Sequence, residues 1–177
     1  MGVVALAVCL LLDARTDRAI RQLWDRLEDA GIATLRTHTH GRHLPHLSYA
    51  VLRSWDLDAV AEAVGSLPAH GPVELHFDGL GLFRRSRSWL VPAGPADLVP
   101  RQQEVVKAVV GTGADLHRHY EPGLWVPHCT LAPRVRLEQL AHLAALVYDV
   151  LPLHATADRA ALVDSGTGRR VPLPHVP

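Results

Sequence analysis

Hydrophobic positions along this chain switch repeatedly between two rhythms. Val3 to Leu12 is apolar on both faces, the pattern of a strand buried in the middle of a sheet. The next stretch has helical spacing. Ile20, Leu23, Trp24 and Leu27 share one face, Thr16 or Asp17 can cap the start, and Gly31 stops the helix near Ala30. Ala33 to Arg36 reads as a short strand, and a polar turn from Thr37 to Pro45 leads into another, His46 to Leu52. Asp56 caps a second helix carrying Leu57, Val60, Val64 and Leu67. Val73 to Phe83 is strand-like, with Gly79 and Gly81 permitting a bulge or a close backbone approach. An arginine-rich turn then leads to a strand at Ser88 to Val91. Beyond the breaker Pro92 to Pro95, a third helix spans Ala96 to Val110. Gly111 to Val126 reads as a loop, His128 to Ala132 as a strand, and Leu137 to Val150 as a fourth helix. Leu153 to Asp164 is strand-like, and a turn at Gly166 to Gly168 precedes a final short strand. Strands and helices in this order predict an α+β fold, with helices packed outside largely antiparallel sheet.

One phrase occurs twice. Pro45-His46-Leu47-Ser48-Tyr49-Ala50 returns as Pro127-His128-Cys129-Thr130-Leu131-Ala132. Shifted by the 82 residues that separate His46 from His128, Ile20, Leu23, Leu27 and Gly31 fall on Gln102, Val105, Val109 and Gly113. At a shift of 80, Leu57 to Leu67 is matched by Leu137 to Val147, and Pro72 by Pro152. Each half then runs strand, helix, His strand, helix, strand, and duplication explains this better than accidental likeness. No low-complexity linker interrupts the chain. Its 177 residues read as one domain, 1–177, with approximate repeat halves 1–85 and 86–177.

Composition narrows the function. Lys plus Arg and Asp plus Glu both number 18, so no global field attracts polyanions and any nucleic-acid contact must be local. Cys9 and Cys129 each lie in an apolar run, which fits buried thiols rather than a disulfide framework. The apolar start lacks a positive leader, meets Asp13 and Arg15 at once, and is too short to span a membrane. A buried first strand in a cytoplasmic protein is the expectation.

The doubled phrase carries chemistry. Residues two apart in a strand share a face, so each copy sets an imidazole beside a hydroxyl. If the two strands face each other across a cleft, one histidine can take a proton from an attacking hydroxyl or water. The other can donate one to a leaving oxygen. The hydroxyls of Ser48 and Thr130 can donate to non-bridging phosphate oxygens. This division of labour suits phosphodiester cleavage and requires no metal.

The two phrases resemble the paired H-x-[ST]-x signatures of the 2H phosphoesterase superfamily, above all its 2′-5′ RNA ligase-like, or RNA 2′,3′-cyclic phosphodiesterase, family. The stretch Phe77-Asp78-Gly79-Leu80-Gly81-Leu82-Phe83, followed by Ser88-Trp89-Leu90-Val91, resembles that family's glycine–aromatic strand and the strand after it. Leu124-Trp125-Val126 resembles the lead-in to its second signature. Ser48 is the less typical residue, since threonine is more usual there. The resemblance implies a bilobal, pseudo-twofold fold with a central cleft. It implies hydrolysis of 2′,3′-cyclic phosphates to 2′-phosphates, or of 2′-5′ bonds, at RNA ends or on small nucleotides. His46 and His128 become the acid/base pair, His128 as base toward water and His46 as acid toward the leaving 3′ oxygen. Ser48 and Thr130 become phosphate ligands. No cofactor, no metal and no membrane partner are implied, and a monomer is expected. The rivals are reversible 2′-5′ ligation with the same residues, an RNA- or nucleotide-binding module without turnover, and a histidine-ligated metalloprotein.

Other residues have blander readings. Trp125 and Arg134 are possible substrate contacts, although Trp125 is out of phase with His128 and Arg134 equally suits a strand end. Tyr49 and Trp24 read as core. His38, His40 and His43 read as a solvated turn at the mouth of the cleft rather than a zinc site, and His117 and His119 likewise. Arg84, Arg85 and Arg87 form a solvated hairpin turn or a contact to flanking phosphates. A third triplet, His154-Ala155-Thr156, lacks the flanking Pro and Ala.

Overall fold

Asp13 ends the first strand and begins the first helix. A computed structural model describes residues 5–177, so Val3 and Val4 of the expected first strand lie outside the described residues. β1 (Leu6–Leu12) is buried along its whole length. The Asp13 carboxylate accepts the N–H groups of Arg15 and Thr16 at 3.0 and 2.9 Å, capping α1 (Ala14–Asp29). The cap is thus Asp13, not Thr16 or Asp17, because the Thr16 hydroxyl itself donates to Asp13. Ile20, Leu23, Trp24 and Leu27 are buried as the spacing predicts, and Gly31 closes the helix at φ +75.

The expected strand at Ala33 to Arg36 does not form. Thr34 and Thr37 turn their hydroxyls to the Glu28 carboxylate. Leu35 makes a single backbone bond, to the Leu131 carbonyl at 3.1 Å, in place of a ladder. β2 (His46–Ser54), α2 (Leu57–Gly65, capped by Asp56), β3 (Val73–Leu82) and β4 (Ser88–Ala93) follow as read, within a few residues. α3 (Leu98–Gly111) starts two residues later than expected. The loop after it contains a short strand, β5 (Asp115–Leu116), and one 3₁₀ turn, Arg118–Tyr120. β6 (Cys129–Ala132) leaves His128 just ahead of the strand. The fourth helical stretch divides into a 3₁₀ turn, Leu137–Gln139, and α4 (Leu140–Tyr148). β7 (Leu153–Asp164) and β8 (Arg170–Pro172) complete the chain.

All eight strands join one antiparallel sheet, in the order β5-β2-β1-β7-β3-β4-β6 with β8 on β7. The duplication is visible in that order. Exchanging β1 with β4, β2 with β6 and β3 with β7 reverses the run β2-β1-β7-β3-β4-β6 onto itself. The pseudo-twofold axis passes where Leu75 pairs with Ala155. Ser48 pairs with Cys9 as Thr130 pairs with Trp89, and Leu47 pairs with Leu10 as Cys129 pairs with Leu90. The third strand of each half is exchanged. β7 completes the lobe built on β1 and β2, and β3 completes the lobe built on β4 and β6.

One face of the sheet carries the main core, covered by α1 packed with α4 and by α2 packed with α3. The other face is lined by Ala7, Cys9, Leu11 and Ala161 in the first lobe. The strands β2 and β6 stand far apart in the hydrogen-bonding order, yet they meet. The Cys129 thiol reaches the His46 backbone, and the Trp125 indole N–H donates to the Ser48 carbonyl at 3.0 Å. The sheet is therefore folded on itself, with the two repeated motifs facing one another.

Candidate active site

His46 opens β2, and its Nδ1 lies 2.6 Å from the Leu44 carbonyl. His128 precedes β6, and its Nδ1 lies 2.7 Å from the Val126 carbonyl. A carbonyl oxygen only accepts, so each Nδ1 carries the proton and each neutral ring keeps its lone pair on Nε2. The two clamps are equivalent under the repeat, each reaching the residue two positions back. Both imidazoles are thus held in the tautomer that acid/base work requires.

Their surroundings disfavour charge. Burial pushes the His46 pKa down, opposed by the Leu44 carbonyl and aided by the Arg87 charge. Burial brings His128 down to about 4, opposed by the Val126 carbonyl and aided by the charges of His46 and Arg87. The wall around His128 is aromatic. Phe83 and Trp89 stack at 4.9 Å, and they meet the imidazole edge-on at interplanar angles of 87° and 65°. Trp89 can lie there because residue 81 is glycine. A Cβ at Gly81 would fall 2.3 Å from the indole. The close approach expected at Gly79 and Gly81 is thus a side chain crossing the strand, accompanied by a bulge between Phe77 and Leu80.

Ser48 and Thr130 follow their histidines by two residues and are 8% and 7% exposed. Ser48 Oγ sits 3.6 Å from Cys9 Sγ. The Tyr120 phenol also interacts with Ser48, and burial raises its pKa to about 12. Tyr120 went unnoticed in the sequence, because only the 3₁₀ turn in the long loop carries it to β2. Gln102, the one position that changed character between the repeats, explains that placement. Its amide donates to the Tyr49 carbonyl at 3.1 Å and to the Tyr120 carbonyl at 2.9 Å, tying β2 to the loop.

The remaining expected residues divide. Trp125 is half-buried against Tyr49 and uses its N–H on Ser48, so it holds the site strand. Arg134 is exposed beyond Pro133, where Val135 bonds the Ser86 carbonyl and so brings it beside the arginine turn. Within that turn Arg87 stands out, since its charge bears on His38, His46, Tyr120 and His128. Tyr49 and Trp24 are core, as expected. His154 pairs with His76 on the neighbouring strand, outside the cleft. His38, His40 and His43 contact one another at the mouth. Among the described residues, no three His, Cys, Asp or Glu side chains form a group that could hold a metal ion. Nor is any described helix long and apolar enough to cross a membrane.

The fold has relatives among solved structures. It is similar to a crystal structure described as a phosphoesterase, at 17% identity and a TM-score of 0.60, covering 97% of this chain and 96% of that one. It is similar as well to E. coli LigT crystallised with NADP+, at 16% identity and a TM-score of 0.62, covering 98% and 96%. No curated protein sequence matches it. The family model described as the 2′-5′ RNA ligase superfamily matches residues 15–169. With that model spanning both motifs and six of the eight described strands, the chain belongs to the 2′-5′ RNA ligase superfamily.

Proposed function

We propose that this chain is a metal-independent phosphodiesterase of RNA ends or small nucleotides. It opens 2′,3′-cyclic phosphates to 2′-phosphates, or cleaves 2′-5′ bonds, with His46 and His128 as the proton-transfer pair. Membership in the superfamily supports phosphodiesterase-type activity. The observation that carries the finer reading is the matched pair of Nδ1 clamps, which leaves an Nε2 lone pair for proton transfer on each of two histidines whose strands meet.

His128, kept neutral by its apolar wall, takes a proton from water as it attacks phosphorus. His46 gives a proton to the departing 3′ oxygen. Bound phosphate raises the pKa of a nearby imidazole, since an opposite charge favours the protonated form. That supplies the acid which burial alone disfavours. Ser48 and Thr130 donate to the non-bridging oxygens, where charge builds.

Product analysis on 2′,3′-cyclic nucleotides and on oligoribonucleotides with a cyclic end tests the proposal, with and without EDTA. A 2′-phosphate product at equal rates in both conditions is expected. Loss of activity in EDTA, or binding without turnover, would overturn it. A 2′-5′ linked product from free 5′-hydroxyl RNA would move the assignment to ligation.

A further inference from the structure

The pseudo-twofold relation provides an internal comparison, and the two lobes differ in charge. Pairing places Leu11 opposite both His46 and Arg159, so His46, Leu11 and Arg159 form one row across the site face of the first lobe. Beyond that row lies a groove of about 420 Å³ between Leu11, Leu12, Leu44, Pro45 and the start of α1. A volume of this size suits one small ligand or a segment of a longer one. Its charged lining is Asp17, Arg18, Arg21, Arg159 and Arg170. A small adjoining cavity adds Arg42 beside His46 and shares Leu11, Leu44 and Arg170 with the groove.

Asp17 is matched to Arg21 at 2.7 Å, and Arg159 to Asp158 at 3.0 Å. Arg18, Arg42 and Arg170 are exposed, and among the described residues none has a carboxylate within ion-pair distance. The equivalent positions of the second lobe lack these arginines. By the repeat, Pro100 answers Arg18, Gln103 answers Arg21, Leu124 answers Arg42 and Gly79 answers Arg159. Apart from the Arg84, Arg85 and Arg87 turn, a chain with equal numbers of acidic and basic residues thus gathers a second group of unpaired arginines at one end of the first lobe, continuous with His46.

We infer that this groove is a subsite for the phosphodiester backbone of a single-stranded RNA chain whose reactive end lies between His46 and His128. The inference rests on the proposed phosphodiesterase reading and deepens it, because it names an oligonucleotide rather than a free mononucleotide as the substrate. A chain ending in a cyclic phosphate continues only from its 5′ side. Its next phosphates then run from the cleft past His46 over Arg42, Arg170 and Arg18. Such contacts give affinity and register rather than base choice.

The test uses the full chain and the double variant Arg18→Ala/Arg170→Ala, whose side chains are exposed and make no hydrogen bond within the fold. Steady-state rates are measured on a 2′,3′-cyclic mononucleotide and on a short oligoribonucleotide with the same cyclic end, across a salt series. For the oligonucleotide, KM should rise about tenfold, and the slope of log KM against log salt should fall by roughly 0.7 per lost contact. The mononucleotide should be turned over as by the parent protein. An unchanged oligonucleotide KM and slope, or an equal loss on both substrates, would overturn the subsite. If the parent protein turns over neither substrate, the phosphodiesterase reading fails by itself. Fluorescence anisotropy with a labelled 3′-phosphorylated oligoribonucleotide then decides the groove: weaker binding by the double variant supports it, and equal binding overturns it.

Discussion

Ser48 and Thr130 occupy equivalent places with different neighbours. Ser48 lies against a thiol and a phenol, whereas Thr130 pairs with Trp89. His46→Ala and His128→Ala should each lower kcat by about 100- to 10,000-fold, the usual worth of an acid/base group, with unchanged circular dichroism. Near-parental turnover by either variant would refute the pair. Ser48→Ala removes one hydrogen bond to developing charge, worth about 1.5–3 kcal/mol. It should therefore cost less in kcat than either histidine, as measured on the same cyclic nucleotide. Gly81→Ala drives a Cβ into the indole of Trp89. Such overpacking destabilises by about 1–3 kcal/mol. By moving the apolar wall it should also raise the His128 pKa from about 4 toward its ordinary value, as read by NMR titration of the ring.

At the scale of elements, most of the chain was legible. Hydrophobic periodicity located all four helices, both His strands and the strands β3, β4 and β7, because each buries an apolar face. The failures occurred where side chains settle backbone bonding locally. Ala33 to Arg36 looked extended, but Glu28 gathers the hydroxyls of Thr34 and Thr37 and holds the segment as a turn. The helix cap moved to Asp13 for a tertiary reason as well. Its other oxygen accepts the Thr156 N–H at 2.9 Å, joining α1 to β7. Asp13→Ala removes the cap, worth about 1 kcal/mol, and leaves that donor without its partner, worth about 1–3 kcal/mol. Chemical denaturation should show a loss near the sum of these effects. A loss confined to a few tenths of a kcal/mol would mean that the strand contact contributes nothing.

The whole molecule places several histidines where charge is disfavoured. Burial lowers the pKa of His43 to about 4, helped by His40, His46 and His38, and His128 reaches about the same value. In the unfolded chain these rings titrate near 6.5. Between pH 6.5 and 4 the unfolded state binds more protons, so stability rises with pH across that window. It is complete above 6.5 and is lost as the pH falls toward 4. Scanning calorimetry should show Tm falling from pH 7 to pH 4.5, and His43→Asn should flatten the curve. A Tm that held constant or rose on acidification would contradict the burial of these rings.

The sequence by itself determined that the chain is a duplicated α+β unit, and it named the two histidines and two hydroxyls on which the proposed chemistry rests. Periodicity is a local property, and the two copies of the phrase preserve it. Only the tertiary structure decided what surrounds those side chains. The exchange of β3 and β7 between lobes, the Phe83–Trp89 wall, the approach of Tyr120 to Ser48 and the arginine groove beyond His46 all join residues distant along the chain. Their positions follow from how one curved sheet closes its outer strands upon each other, and no local pattern of hydrophobic and polar residues encodes that closure.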